Sequence, residues 1–310
     1  MDQNSLIEII KGGISAVNST LSAFVGAFFT TLFLRKDTKT TEFEKIKAGK
    51  FGEAIDQMLK NGKMTYLEYY KCNNFLDIAK RADLMLLNRT QEQENDNKST
   101  MDFDWFCRFF DAASNISNQD MQNLWASVLA GEVFAPGSFS LRTIDTLYNM
   151  SPVEAELFKS ICRIIIDDSK LFSSFGTYGE IGQEINEEYG FNNDSLRILE
   201  ECGIINGLMM RSQLELLAEE SGGFICGDRL LLLQPKSHEK IIIPYNCYSL
   251  TMVGHQLYSI VYSESDDAYL EKIGRAIIAN YPGLHVSLHP ISVEGEETVS
   301  YNAEVDYLSV

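Results

Sequence analysis

Chemistry needs polar side chains gathered at one place, and this 310-residue chain offers few such sets. In the segment His285-Val286-Ser287-Leu288-His289 the spacing puts both imidazoles on one face of a strand, as a two-histidine metal site requires. Asp266 or Glu294 would have to complete that site, since no cysteine or further histidine is near, so the segment reads as a solvated strand face and no metal is expected. Glu132, Arg142 and Asp145 bracket the Pro136-Gly137 turn and, beside Trp125, form the one candidate polar site; the simpler reading is an internal Glu132–Arg142 ion pair that holds the loop. Cys72, Cys107, Cys162, Cys202, Cys226 and Cys247 are widely spread without a CxxC pair, which fits neither a disulfide framework nor a zinc site and suits a reducing, cytosolic environment. The chain has no P-loop, GxGxxG after a strand, HExxH, GxSxG or DxDxDG loop. No cofactor and no catalytic residue is expected, and an enzyme is not the favoured class.

The charge is unevenly placed. Lys and Arg number 26 against 44 Asp and Glu, a net charge of −18; residues 1–81 carry +3 and residues 82–310 carry −21. So acidic a body repels a phosphate backbone, and nucleic acid is not an expected partner. From Gly12 to Leu34 there is no charged residue, and a helix of that length would reach about 34 Å, enough for a hydrocarbon core. Phe24, Phe28 and Leu32 lie on an apolar face, while Ser15, Ser19, Ser22, Gly26 and Thr30 form a stripe of small residues suited to helix self-association or to lining a narrow pore. Arg35 and Lys36 open a basic flank, which the positive-inside rule places in the cytoplasm. The expectation is an inner-membrane helix that contacts lipid and forms a homo-oligomer, with the acidic body in the cytoplasm. The alternative is an ordinary buried helix in a cytoplasmic protein.

The elements that would position these residues are mostly helical. Residues 42–90 read as a helical hairpin broken at Asn61-Gly62, and the polar run from Asn88 to Asp102 reads as a linker with a boundary near Gln93. FDWFCRFFDAA is an aromatic helix, and a second helix carries Met121, Leu124, Trp125, Val128 and Leu129 on one face; the two are expected to pack on each other. Ser151-Pro152-Val153-Glu154 starts a helix with an N-cap, a proline at the first turn and a capping box. Further helices end at Gly203, and strand signals end at Pro235 and Pro244. This order matches a winged-helix unit, whose third helix, DSLRILEECG, carries one arginine, Arg197, against Asp194, Glu200 and Glu201. That balance favours protein interaction over DNA reading. A helix from Asp266 to Asn280 leads to the turn at Pro282-Gly283, and a strand follows it.

The run LWASVLAGEVFAPGSFSLRTIDTLYNMSPVEAELF, preceded by Asp102-Phe103-Asp104-Trp105-Phe106 and followed by Ser249-Leu250-Thr251-Met252-Val253-Gly254-His255-Gln256-Leu257, resembles a bacterial family known only as a domain of unknown function. The resemblance spans about residues 100–310 and implies a bacterial or prophage source, with a looser likeness to abortive-infection proteins. It assigns no catalytic residue.

The sequence therefore predicts a mainly α chain with a smaller α+β part. Its expected segments are a membrane-associating helix (1–34), a basic hairpin and linker (35–92), an aromatic helical domain (93–150), a winged-helix-like domain with a short β-ribbon (151–263) and a terminal helix–strand unit (264–310). The expected function is non-catalytic phage defence by membrane disruption; the alternative is a soluble regulatory or scaffold protein that binds a protein partner through its acidic body.

Overall fold

The computed structural model describes residues 41–89, 101–175, 182–217, 220–261, 265–294 and 299–308. The proposed lipid-facing segment, with Ser15, Ser19, Ser22, Gly26, Thr30, Phe24, Phe28, Leu32, Arg35 and Lys36, lies outside the described residues. The chain divides into two units between Asn149 and Met150. It is a mixed α+β protein in which helix predominates, and the expected short ribbon is replaced by two four-stranded antiparallel sheets.

The first unit is helical. Helices α1 (Thr41–Lys60) and α2 (Tyr66–Arg89) form the hairpin, and Gly62 makes the turn at φ 67°, a conformation open to glycine at little cost. Thr65 and Glu68 cap α2 reciprocally, the Glu68 amide donating to the threonine hydroxyl and the Thr65 amide to the carboxylate. Helix α3 (Phe103–Ala113) follows its N-cap, Asp102, and buries Trp105, Phe106, Phe109 and Phe110. These rings close on Phe75 of α2, whose centroid is 4.7 Å from Phe110 and 5.9 Å from Phe106. Helix α4 (Gln119–Phe134) packs mainly along α2 and meets α3 through Phe109 and Trp125, 5.3 Å apart. Helix α5 (Leu141–Asn149) packs on α3. Aromatic burial of this kind is the main source of the unit's stability.

The second unit opens with α6 (Pro152–Cys162), where the Ser151–Glu154 capping box forms as the sequence requires. Strands β1 (Ile165–Ile166) and β2 (Lys170–Phe175) are joined through Asp167 and Asp168, at φ 46° and 54°. Two successive positive φ angles make a type I′ turn, which aspartate tolerates better than most residues. Helices α7 (Gln183–Glu188) and α8 (Asn193–Glu201) follow; the cap of α8 is Asn192 and its stop is Gly203, at φ 70°. Next come β3 (Ile205–Leu216), the hairpin β4 (Gly222–Cys226) and β5 (Arg229–Pro235), β6 (Ile241–Leu250), α9 (Met252–Tyr258), α10 (Asp267–Asn280), β7 (Leu284–Glu294) and β8 (Val299–Tyr301). The sheets run β1-β2-β6-β3 and β4-β5-β7-β8. Phe172, Phe224 and Tyr245 join them in one core, with Phe224 4.8 Å from Phe172.

Two expectations about strands are corrected. β6 does not end at Pro244 but runs through it: Pro244 stands opposite Gln213 of β3, and among the described residues no residue of β2 pairs with it, so the absent N–H breaks no ladder bond there. The HVSLH strand face is not solvated. Ser287 and His289 are 2% and 5% exposed, covered by the chain end around Val305, and only His285 faces out.

Candidate functional site

The predicted polar site is a structural lock. Glu132 ends up 2% exposed, and its two carboxylate oxygens accept the amides of Gly137 at 2.6 Å and Phe139 at 3.0 Å. Those amides belong to the tight loop after α4, where they have no helical partner, so the carboxylate supplies the acceptors a buried loop requires. Burial pushes the Glu132 carboxyl above its ordinary range, against the pull of the loop amides. The neighbouring Gly131 is needed because any Cβ there would sit 2.6 Å from the Phe139 ring, and the Phe139 carbonyl in turn accepts the Trp105 indole N–H at 2.8 Å. The expected Glu132–Arg142 ion pair does not form: Arg142 is exposed, and Asp145 pairs with Arg108 of α3 at 3.1 Å. Trp125 is fully buried against Phe109, its indole N–H without an acceptor among the described residues. Glu132 thus holds the loop, Asp145 pairs with Arg108 and Arg142 is exposed, so among the described residues the three are not brought together.

Other chemistry-bearing groups are also occupied. His289 donates from Nδ1 to the Val305 carbonyl at 2.7 Å and accepts the Ser287 hydroxyl at Nε2, 2.8 Å away, a pairing that fixes its tautomer. The pair resembles half of a nucleophilic dyad, but a serine 2% exposed cannot meet a substrate. The six thiols are free, and burial pushes Cys72 and Cys226 up to about 12 and Cys202 up to about 11, so at neutral pH these three are protonated. No group among the described residues is arranged to hold a metal ion. On α8, Arg197 is bound to Asp194 at 2.9 Å, which leaves Glu200 and Glu201 to set the sign of that helix.

What stands out is a surface. In β3, Leu208, Met209 and Met210 are 71%, 50% and 38% exposed, and Ile242 on β6 is 43% exposed. β3 is an outer strand, paired only with β6 among the described residues, and it carries a register shift between Asn206 and Met210. The sequence reading missed this strand. INGLMMRSQLEL lacks the two-residue alternation of a half-buried strand, and the one available signal was the consecutive Leu208-Met209-Met210 in an otherwise polar stretch.

Comparison with known proteins finds one family model, described as a protein of unknown function (DUF2806), which matches residues 82–274. No curated protein and no solved structure matches the chain. The expectation of a membrane-disrupting defence protein is corrected. Among the described residues no helix is long and apolar enough to cross a membrane. The long helix α2 is interrupted by Glu68, Lys71, Asp77, Lys80, Arg81 and Asp83, and nothing in the fold or the comparisons indicates a defence role.

Proposed function

Since the chain belongs to the DUF2806 family, whose description assigns no activity, we propose from the structure that it acts by binding another protein, as a non-catalytic regulatory or scaffold protein of the cytoplasm. The carrying observation is the exposed apolar run Leu208-Met209-Met210 on an outer strand, a combination that a folded monomer ordinarily avoids. The binding body is winged-helix-like. Supporting this are the order α6, β2, α7, α8, β3, β6 and the sheet neighbours β2-β6-β3, with the β4–β5 hairpin inserted where a wing would turn. Its third helix is acidic, so the arrangement serves a protein partner rather than DNA. Free thiols, four of the six buried, suit the reducing cytoplasm.

The test is a photo-crosslinking residue at position 209 of the full chain in expressing cells. A discrete adduct with a second protein is expected, and that protein, once purified, should bind the wild-type chain but not the Leu208→Ser/Met210→Ser double variant. Absence of any adduct, or equal binding to both chains, overturns the reading.

A further inference from the structure

We propose that the outer edge of β3 receives an extended, cationic segment of the partner as a fifth strand of the sheet β1-β2-β6-β3. The inference rests on the protein-binding reading above and specifies the partner's chemistry.

The backbone provides the first argument. An antiparallel strand bonds to its neighbour through alternate residues, so a strand paired on one side presents the remaining amides and carbonyls outward. β3 is such a strand: from Met210↔Cys247 to Leu216↔Ile241 its pairing with β6 is unbroken, and among the described residues no strand lies beyond it. Towards its end Leu214 and Leu216 turn onto Gly222 of β4, and at its head the Leu208 amide donates to the Asn206 side-chain oxygen at 3.1 Å, which leaves the stretch from Met209 to Gln213 as the accessible edge. Between Ile205 and Leu216 there is neither proline nor lysine; the charged side chains are Arg211 and Glu215, and the register shift is confined to the stretch between Asn206 and Met210.

Side chains provide the second. Leu208, Met209 and Met210 are all exposed where the ladder with β6 begins, so an added strand would find apolar contacts there, and methionine adapts to varied partners. Charge decides between occupants. Residues 150–310 carry 25 acidic and 10 basic side chains, net −15, and the Glu200 carboxylate lies directly over Gly207 at the head of the exposed run, within 2.3 Å of where a Cβ would be. A second copy of this chain, at −18, would be repelled, whereas lysine or arginine alternating with apolar residues is complementary. β-Strand addition draws affinity from main-chain bonds and specificity from alternate side chains, the two features this edge supplies.

The experiment uses the full chain and a fluorescein-labelled octapeptide of alternating lysine and valine, read by anisotropy. Saturable binding is expected, weakened by salt and roughly tenfold weaker for a peptide N-methylated along its bonding edge or for the Leu208→Lys/Met209→Lys variant. Both substitutions are at exposed positions, so an unchanged melting temperature shows that the variant is folded. Equal binding of the N-methylated peptide, of a glutamate–valine peptide, or by the lysine variant overturns the inference, as does a dimer in sedimentation that the lysine variant abolishes. If the octapeptide is not bound while the partner crosslinked at position 209 is, strand addition falls and the protein-binding reading stands. Octapeptide binding with the expected losses, but with no adduct in cells, leaves the edge established and removes the scaffold reading.

Discussion

Glu132 is a carboxylate placed where a charge is costly, and it is kept there by two loop amides that would otherwise lack acceptors. Glu132→Ala leaves those donors unpaired and should destabilise the first unit by about 3 kcal/mol, measured as a shift in the denaturant midpoint. Its carboxyl is raised by burial, so the folded state holds the proton more tightly than the unfolded state. The stability linked to this group is therefore complete below the unfolded carboxyl pKa and is lost as pH rises through the higher folded value. Glu154 and Glu68 behave oppositely, each lowered by amides at a helix start, so the wild-type profile mixes both signs. The difference between wild type and Glu132→Gln isolates the Glu132 part: the advantage of wild type should shrink from acid to neutral pH. A flat difference would mean that the loop amides fully offset burial.

At the scale of elements, short polar and glycine signals decide where helices and strands meet. Thr251 caps α9, its hydroxyl accepting the Gly254 amide at 3.0 Å and donating to the Gly203 carbonyl at 2.6 Å. Gly254 then lies so close to the residue preceding β3 that a Cβ would be 2.0 Å from the Ile204 carbonyl oxygen. That contact explains why LTMVG stands at this point of the chain. Gly254→Ala should cost about 2 kcal/mol or more, since backbone rather than a flexible side chain must yield, and a melting temperature within error of wild type would refute the close approach. The capping box at Ser151 was legible because it depends on neighbours three residues apart. Strand β3 and the continuation of β6 through Pro244 were not, because each depends on which strand lies alongside.

For the whole molecule, the division between Asn149 and Met150 separates an aromatic helical core from a core built on two sheets. Residues 150–310 expressed alone are therefore expected to unfold cooperatively with the circular dichroism of a strand-rich protein, and a broad, non-cooperative melt would show that this unit needs the rest of the chain. The acidity follows the same division. With a net −15 on residues 150–310, the second unit carries most of the chain's negative charge.

The amino-acid sequence alone determined the helix starts at Ser151 and Asp266, the hairpin at Asn61-Gly62 and the acidic character of the body, because these follow from local spacing and from composition. It misplaced the polar groups. Glu132 and Arg142 are close in sequence yet separate, and Ser287 and His289 are buried by residues near the chain end. Only the tertiary structure decided which carboxylate holds a loop, which histidine is covered and which strand remains at the edge, since burial and pairing depend on segments far apart in sequence. The exposed β3 edge is the clearest case: its residues become an exposed apolar edge once β6 occupies one side and nothing among the described residues occupies the other.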